Sequence, residues 1–188
     1  MLNEMLNAFY NPIEAVEDAR RFGDWSSTII VMAVAAVLLA ITPIIALKSF
    51  AWEASLIAFV AFFAGVFLGG LFLMIALAIL GAKKPGYFES VTSISYSTAP
   101  LSLALFAASV LLLIPTLGIL LATLVAVTGG IVMAATHIRA IMELTKADLL
   151  TALVAPWIVA SIGVAMSYLA TAWSFISFFA TMAMNATG

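Results

Sequence analysis

The chain has 188 residues, of which 65% are hydrophobic and only 9% charged, with a mean hydropathy of +1.25 and a formal net charge of −2. A soluble domain carries about 45–50% apolar and about 25% charged residues, so composition excludes a soluble enzyme, a nucleic-acid binder and a disulfide-stapled secreted domain. The absence of cysteine excludes disulfides, iron–sulfur ligation and thiol catalysis, and the single histidine, His137, excludes a zinc site built on two imidazoles.

In chain order, residues 1–25 form a cytoplasmic amphipathic segment. Its first 24 residues hold five acids and two arginines and lack the continuous apolar core of a signal peptide. Leu2, Leu6, Phe9, Ile13 and Val16 recur at helical spacing and share one face, while Glu4, Glu14, Glu17 and Asp18 lie largely elsewhere. Asn11-Pro12 is a helix start, with Asn as cap and Pro at the first helical position. A short helix over 12–22 is therefore expected on the inner surface. Its acidic character disfavours docking on anionic lipid and favours packing on the protein's own cytoplasmic loops.

Beyond it, the stretches 25–47, 54–82, 90–136 and 149–188 contain no Asp, Glu, Lys, Arg or His. About 20 residues of helix cross about 30 Å of hydrocarbon, so each stretch reads as membrane-spanning. The first gives a span at 26–47, followed by a link whose Phe50 and Trp52 suit an interface. The second gives 55–81, ended by Gly81 and Lys83-Lys84-Pro85-Gly86. The third would be about 70 Å long as one helix and is split at Pro115-Thr-Leu-Gly118 into 90–113 and 117–136. In the fourth, Thr145 is expected to cap a span over 150–174, with Asp148 in the first turn and Pro156 near its start. Residues 175–188 follow as an apolar tail. The expectation is an all-α polytopic protein forming one five-span domain. With the N-terminus inside, Arg20, Arg21, Lys83, Lys84, Arg139 and Lys146 are cytoplasmic and Lys48 alone is outside, which sets an N-in, C-out topology.

No span carries an ionisable residue away from its ends, which argues against a proton-driven pump, since such pumps keep a costly charged group inside the bundle. The charges gather on the inner face instead: Asp18, Arg20, Arg21, Asp24, Lys83, Lys84, Glu89, His137, Arg139, Glu143 and Asp148 make a candidate partner surface, against the plainer reading of solvated loops and topology signals. Ser90 to Ser102 is rich in hydroxyls, and Ser93, Tyr96, Ser97 and Pro100 are the candidate polar pathway. The alternative is that these hydroxyls bond back to their own helix. Ala61, Gly65 and Gly69 in the second span and Gly163, Ser167 and Thr171 in the last have the spacing that lets helices approach closely, within the monomer or across a homodimer. No GxSxG, HExxH or Gly-rich phosphate loop is present, so neither a catalytic role nor a cofactor or metal is expected.

Three segments carry a resemblance: Phe9-Tyr-Asn-Pro12 with Glu14-Ala15 and Arg20-Arg21; Gly86-Tyr-Phe followed by Tyr96-Ser-Thr-Ala-Pro100; and Ile138-Arg-Ala-Ile-Met-Glu-Leu-Thr-Lys146 leading through Ala147-Asp-Leu-Leu to Pro156. In order and spacing they resemble the Yip-domain (Ypt-interacting-protein) family of membrane proteins. The resemblance implies a small five-helix domain; eukaryotic members act in vesicle trafficking and bind lipid-anchored Rab-type GTPases. This chain's short cytoplasmic segment and alanine-rich composition are more similar to bacterial or archaeal relatives, which implies a prokaryotic cytoplasmic membrane. The expected function is non-enzymatic association with partner proteins or organisation of the membrane, the partners being lipids and another protein or a second copy. A small-solute or lipid permease using the third span is the alternative.

Overall fold

The structure, a computed structural model, describes residues 7–22, 25–47 and 52–163, and among these every regular element is a helix. The helices are α1, Pro12–Phe22; α2, Trp25–Leu47; α3, Trp52–Ile79; α4, Tyr87–Leu111; α5, Gly118–Thr145; and a shorter apolar helix α6, Leu149–Gly163. Four of them, α2 to α5, are long and apolar enough to cross a membrane. The expected fifth span over 150–174 begins in α6, and its continuation from 164, with the tail 175–188, lies outside the described residues.

Helix ends fall where backbone chemistry stops the helix, not where charge begins. Asn11 precedes α1 as expected: its carbonyl accepts from Ala15 N–H at 3.2 Å and its side-chain amide donates to Glu14 at 2.7 Å. Helix α3 starts at Trp52 and ends at Ile79 because Gly81, at φ 84°, turns the chain into the left-handed region. Ala82 N–H then reaches back to the Leu77 carbonyl at 2.9 Å and Gly81 N–H to Ala78 at 3.3 Å, which satisfies the last carbonyls. Helix α5 does not stop at 136. It runs on through His137, Arg139 and Glu143 to Thr145 and ends at Lys146, which adopts φ 56°. The start of α6 corrects the sequence reading. Thr145 belongs to α5, its hydroxyl donating to the Ile141 carbonyl at 2.7 Å, and Asp148 is the cap, accepting Thr151 N–H at 2.7 Å.

Helix α4 is the centre of the bundle. It packs against α1, α2, α3 and α5, and 44% of its apolar window is buried, against 17–22% in the other three spans. The tight link 112–117 returns the chain antiparallel along α5; Gly118 is required there because a Cβ would meet the Leu111 carbonyl. Three apolar clusters fill the interior. Ala8, Ala15 and Val16 of the N-terminal segment pack with Val31, Tyr96, Ala99, Ala140 and Leu144. The amphipathic helix thus lies on the spans themselves rather than on loops, through a face of Ala8, Pro12, Ala15 and Val16 with Phe9 beside it. A second cluster joins Leu73 and Leu77 of α3 to Ile141 of α5 and Ala152 and Ala155 of α6, and a third joins Met32, Val66 and Val91.

Close approach between helices rests on two glycines. A Cβ on Gly70 would lie 2.5 Å from Val91 Cγ2, and one on Gly129 would collide with Ala104 Cβ. A Cβ on Gly65 meets nothing within 4 Å. Gly129→Val should therefore overpack the α4–α5 contact and lower stability by about 1–3 kcal/mol, while Gly65→Val stays near neutral. Thermal unfolding in mild detergent checks the contrast, and equal effects at the two positions would contradict the packing described.

Candidate functional site

One end of the bundle collects the charged groups. The starts of α4 and α6, the end of α5, the link 80–86 and helix α1 all meet there. Trp25, at the start of α2, stacks edge-on against Phe88 at 5.0 Å and lies 6.1 Å from Tyr87, tying the beginnings of α2 and α4 together. The link is held by its backbone: Lys84 N–H donates to the Thr145 carbonyl at 2.9 Å, satisfying one of the carbonyls that a helix end leaves without a partner.

Charged side chains then decorate this scaffold. Arg139 lies 3.7 Å from Glu17 of α1 and 3.8 Å from Glu143 one turn along α5, and Lys146 lies 3.8 Å from Glu143. The Arg139 and Glu17 side chains are 49% and 46% exposed, so the pair contributes at most about 1 kcal/mol and orients α1 more than it stabilises it. Lys83 and Lys84 are exposed on the link, and Asp18 and Glu89 are half-buried. Glu89 folds over Gly86, where a Cβ would collide with its carboxylate. Arg20 and Arg21 belong to the last turn of α1, while Asp24 lies outside the described residues. Asp148 is exposed, and its carboxyl is held below the ordinary carboxylate range first by the Thr151 backbone N–H and then by the Thr151 hydroxyl.

The hydroxyl-rich half of α4 is buried: Ser93 and Ser97 are fully enclosed, Tyr96 is nearly so and Pro100 is buried. Its hydroxyls turn mostly to their own helix. Ser90 donates to Gly86, Ser93 to Ser90, Ser95 to Val91 and Ser102 to Ala99, all at 2.7–2.9 Å. Other side-chain bonds leave the helix. Thr92 pairs with Thr28 of α2 at 3.1 Å, Tyr87 donates to the Phe67 carbonyl of α3 at 3.2 Å, and Ser97 meets His137 Nδ1 at 3.0 Å while also bonding Ile94. His137 is the first ionisable residue after the charge-free run, so Ser97 marks the depth at which the charged end begins. Residues 90–97 run antiparallel beside the charge-bearing last turns of α5.

Of the small residues singled out by spacing, Ala61 and Gly65 are exposed and Gly69 packs on Ile94, 3.3 Å from a would-be Cβ. Gly163 is exposed at the end of α6, and Ser167 and Thr171 lie outside the described residues. Sequence spacing missed Gly70 and Gly129, because each acts singly against a neighbour that only the fold supplies. It missed the Thr28–Thr92 pair for the same reason. The one available signal for Thr28 was a hydroxyl at the level where α2 begins.

A family model, described as the Yip1 domain, matches residues 6–168. No curated protein and no solved structure matches the chain.

Two outcomes follow from this geometry. Because Asp148 is bonded as the carboxylate, its contribution to α6 is present above the ordinary carboxylate value of 3.8 and is lost as pH falls through its lowered folded-state value. The protection factor of the Thr151 amide, its exchange rate relative to the intrinsic rate at each pH, should fall over that acidic window, and Asp148→Asn should flatten the dependence. Single cysteines replacing Ser93 or Ser97 in this cysteine-free chain should resist a water-soluble maleimide that labels a cysteine at Lys83. Rapid labelling at Ser97 would show a water path along α4.

Proposed function

The chain belongs to the Yip1 domain family, and from that membership we propose that it is a non-enzymatic integral membrane protein that acts by association, presenting its charged end to a partner at the cytoplasmic surface. The observation that carries this reading is the separation of the two polar systems. The hydroxyls of α4 are committed to their own carbonyls or to neighbouring helices, whereas Lys83, Lys84, Arg139 and Asp148 stand exposed at one end on a backbone held by the Lys84–Thr145 and Asp148–Thr151 bonds. A fixed scaffold bearing exposed charged side chains of both signs suits recognition of a complementary protein surface, where charge sets rate and specificity. The buried packing of Ser93, Tyr96 and Ser97 supports association over permeation.

The full topology belongs to the same reading: five spans, with the N-terminus and the charged end inside and the C-terminus outside. Cysteines placed at Lys83 and Lys146 should label only from the cytoplasmic side, and one at Trp52 only from the other. Labelling of Trp52→Cys and Lys83→Cys from the same side would overturn it.

The direct test reverses charge. Arg20→Glu, Arg21→Glu and Arg139→Glu together should remove a protein that photo-crosslinks to the wild-type surface from a probe at Lys84, with the unfolding temperature in detergent preserved. Undiminished crosslinking in the folded triple variant would count against a charged docking surface.

A further inference from the structure

Beyond the depth marked by Ser97 and His137, the N-terminal turn, α4 and α5 enclose a groove of about 480 Å³. Pro100 and Ala107 of α4 form one wall, Leu124 and Thr128 of α5 the other, and Phe9 and Tyr10 close one end. We propose that this groove is a lipid site that holds one acyl chain of a bilayer phospholipid, with the headgroup at the Tyr10 end.

Four observations lead there. The two long walls come from the run 90–136, which has no ionisable residue, and from two helices long and apolar enough to cross a membrane, so the surrounding solvent is hydrocarbon. The walls are mainly apolar, and the Thr128 hydroxyl already donates to the Leu124 carbonyl at 2.8 Å. That suits a methylene chain and disfavours water or a polar solute. The groove is open along one side, and its volume lies in the range of about 300–1,000 Å³ typical of small-molecule sites. The closed end sits at the right depth. Phe9 packs on the cluster of Tyr96 and Ala99, beside the Ser97–His137 level, and Tyr10 is 69% exposed there. An amphipathic ring so placed belongs at the headgroup boundary.

The groove exists because of this fold's own residues. Gly129 brings α5 against Ala104, so the two helices touch deep in the cleft. The N-terminal turn, anchored by Ala8 and Val16, then roofs the gap. The site is separate from the charged surface and stands or falls independently of it.

The test uses the full chain in vesicles of phosphatidylethanolamine and phosphatidylglycerol. They contain a phosphatidylcholine tracer with a diazirine on its acyl chain, and adducts are mapped by peptide mass spectrometry after irradiation. Adducts should concentrate at Leu124 and the α4 wall several-fold over Ile57 and Val60, which are comparably exposed on α3. Ala107→Phe and Thr128→Phe fill the groove from opposite walls. Each should return labelling there to the α3 level while α3 labelling stays unchanged, so that one folded variant suffices. Equal labelling of groove and α3 face in the wild type, or undiminished groove labelling in a folded variant, would overturn the proposal. So would crosslinks joining the groove to a second copy in place of lipid. Lys83→Glu, which changes an exposed charge on the link and leaves the Arg139–Glu17 pair in place, should leave the lipid adducts intact, which separates failure of this site from failure of the association reading.

Discussion

The structure depends on one constraint: a helix placed at the centre of a membrane bundle must bring no unpaired polar group with it. Helix α4 is the most polar of the four long helices and also the most buried, which would be contradictory if its hydroxyls needed water. They do not, because Ser90, Ser93, Ser95 and Ser102 each donate to a carbonyl of their own helix. A serine that closes on its own backbone is a short side chain with its polarity already used. It therefore packs as alanine would and lets neighbours come close. The few hydroxyls that reach outward, Thr92 to Thr28 and Ser97 to His137, join α4 to α2 and to α5 and give each contact a register.

Close packing follows from that use of small residues. In lipid there is little hydrophobic gain from bringing two apolar helices together, so van der Waals contact and hydrogen bonds must hold the bundle. Gly70 against Val91 and Gly129 against Ala104 supply the closest contacts, one on each side of α4. With α3 and α5 drawn in, α2 crosses at the Thr28–Thr92 pair, and the N-terminal segment covers the remaining side through Ala8, Ala15 and Val16. The same tight α4–α5 contact leaves the cleft that becomes the groove under Phe9 and Tyr10.

The charged end is a consequence of chain direction. Helices that alternate in direction bring the starts of α2, α4 and α6 to the same side as the ends of α3 and α5, and all but a few charges lie near those termini. The backbone there is fixed by bonds to helix ends, Lys84 to Thr145 and Thr151 to Asp148, so that exposed side chains sit on a firm base. The ion pairs among Glu17, Arg139, Glu143 and Lys146 are exposed, contribute little to stability, and can exchange partners without unfolding the scaffold.

The sequence by itself determined the class of protein, the place in the chain of the four long apolar helices α2 to α5, the Asn11-Pro12 start, the Gly81 stop and the turn before Gly118. These depend on local free energies: transfer of each side chain into hydrocarbon, the φ that glycine permits, the N–H that proline lacks. Tertiary structure alone decided which helix is central, that Gly70 and Gly129 and not Gly65 carry the contacts, that Asp148 caps α6 in place of Thr145, and that Glu17 finds Arg139. Lipid and protein interior are both apolar, so a span lacks the two-faced periodicity that tells buried from exposed in a soluble helix. Which face of α4 is covered, and where α4 and α5 leave a groove, became definite only when the neighbouring helices were in place.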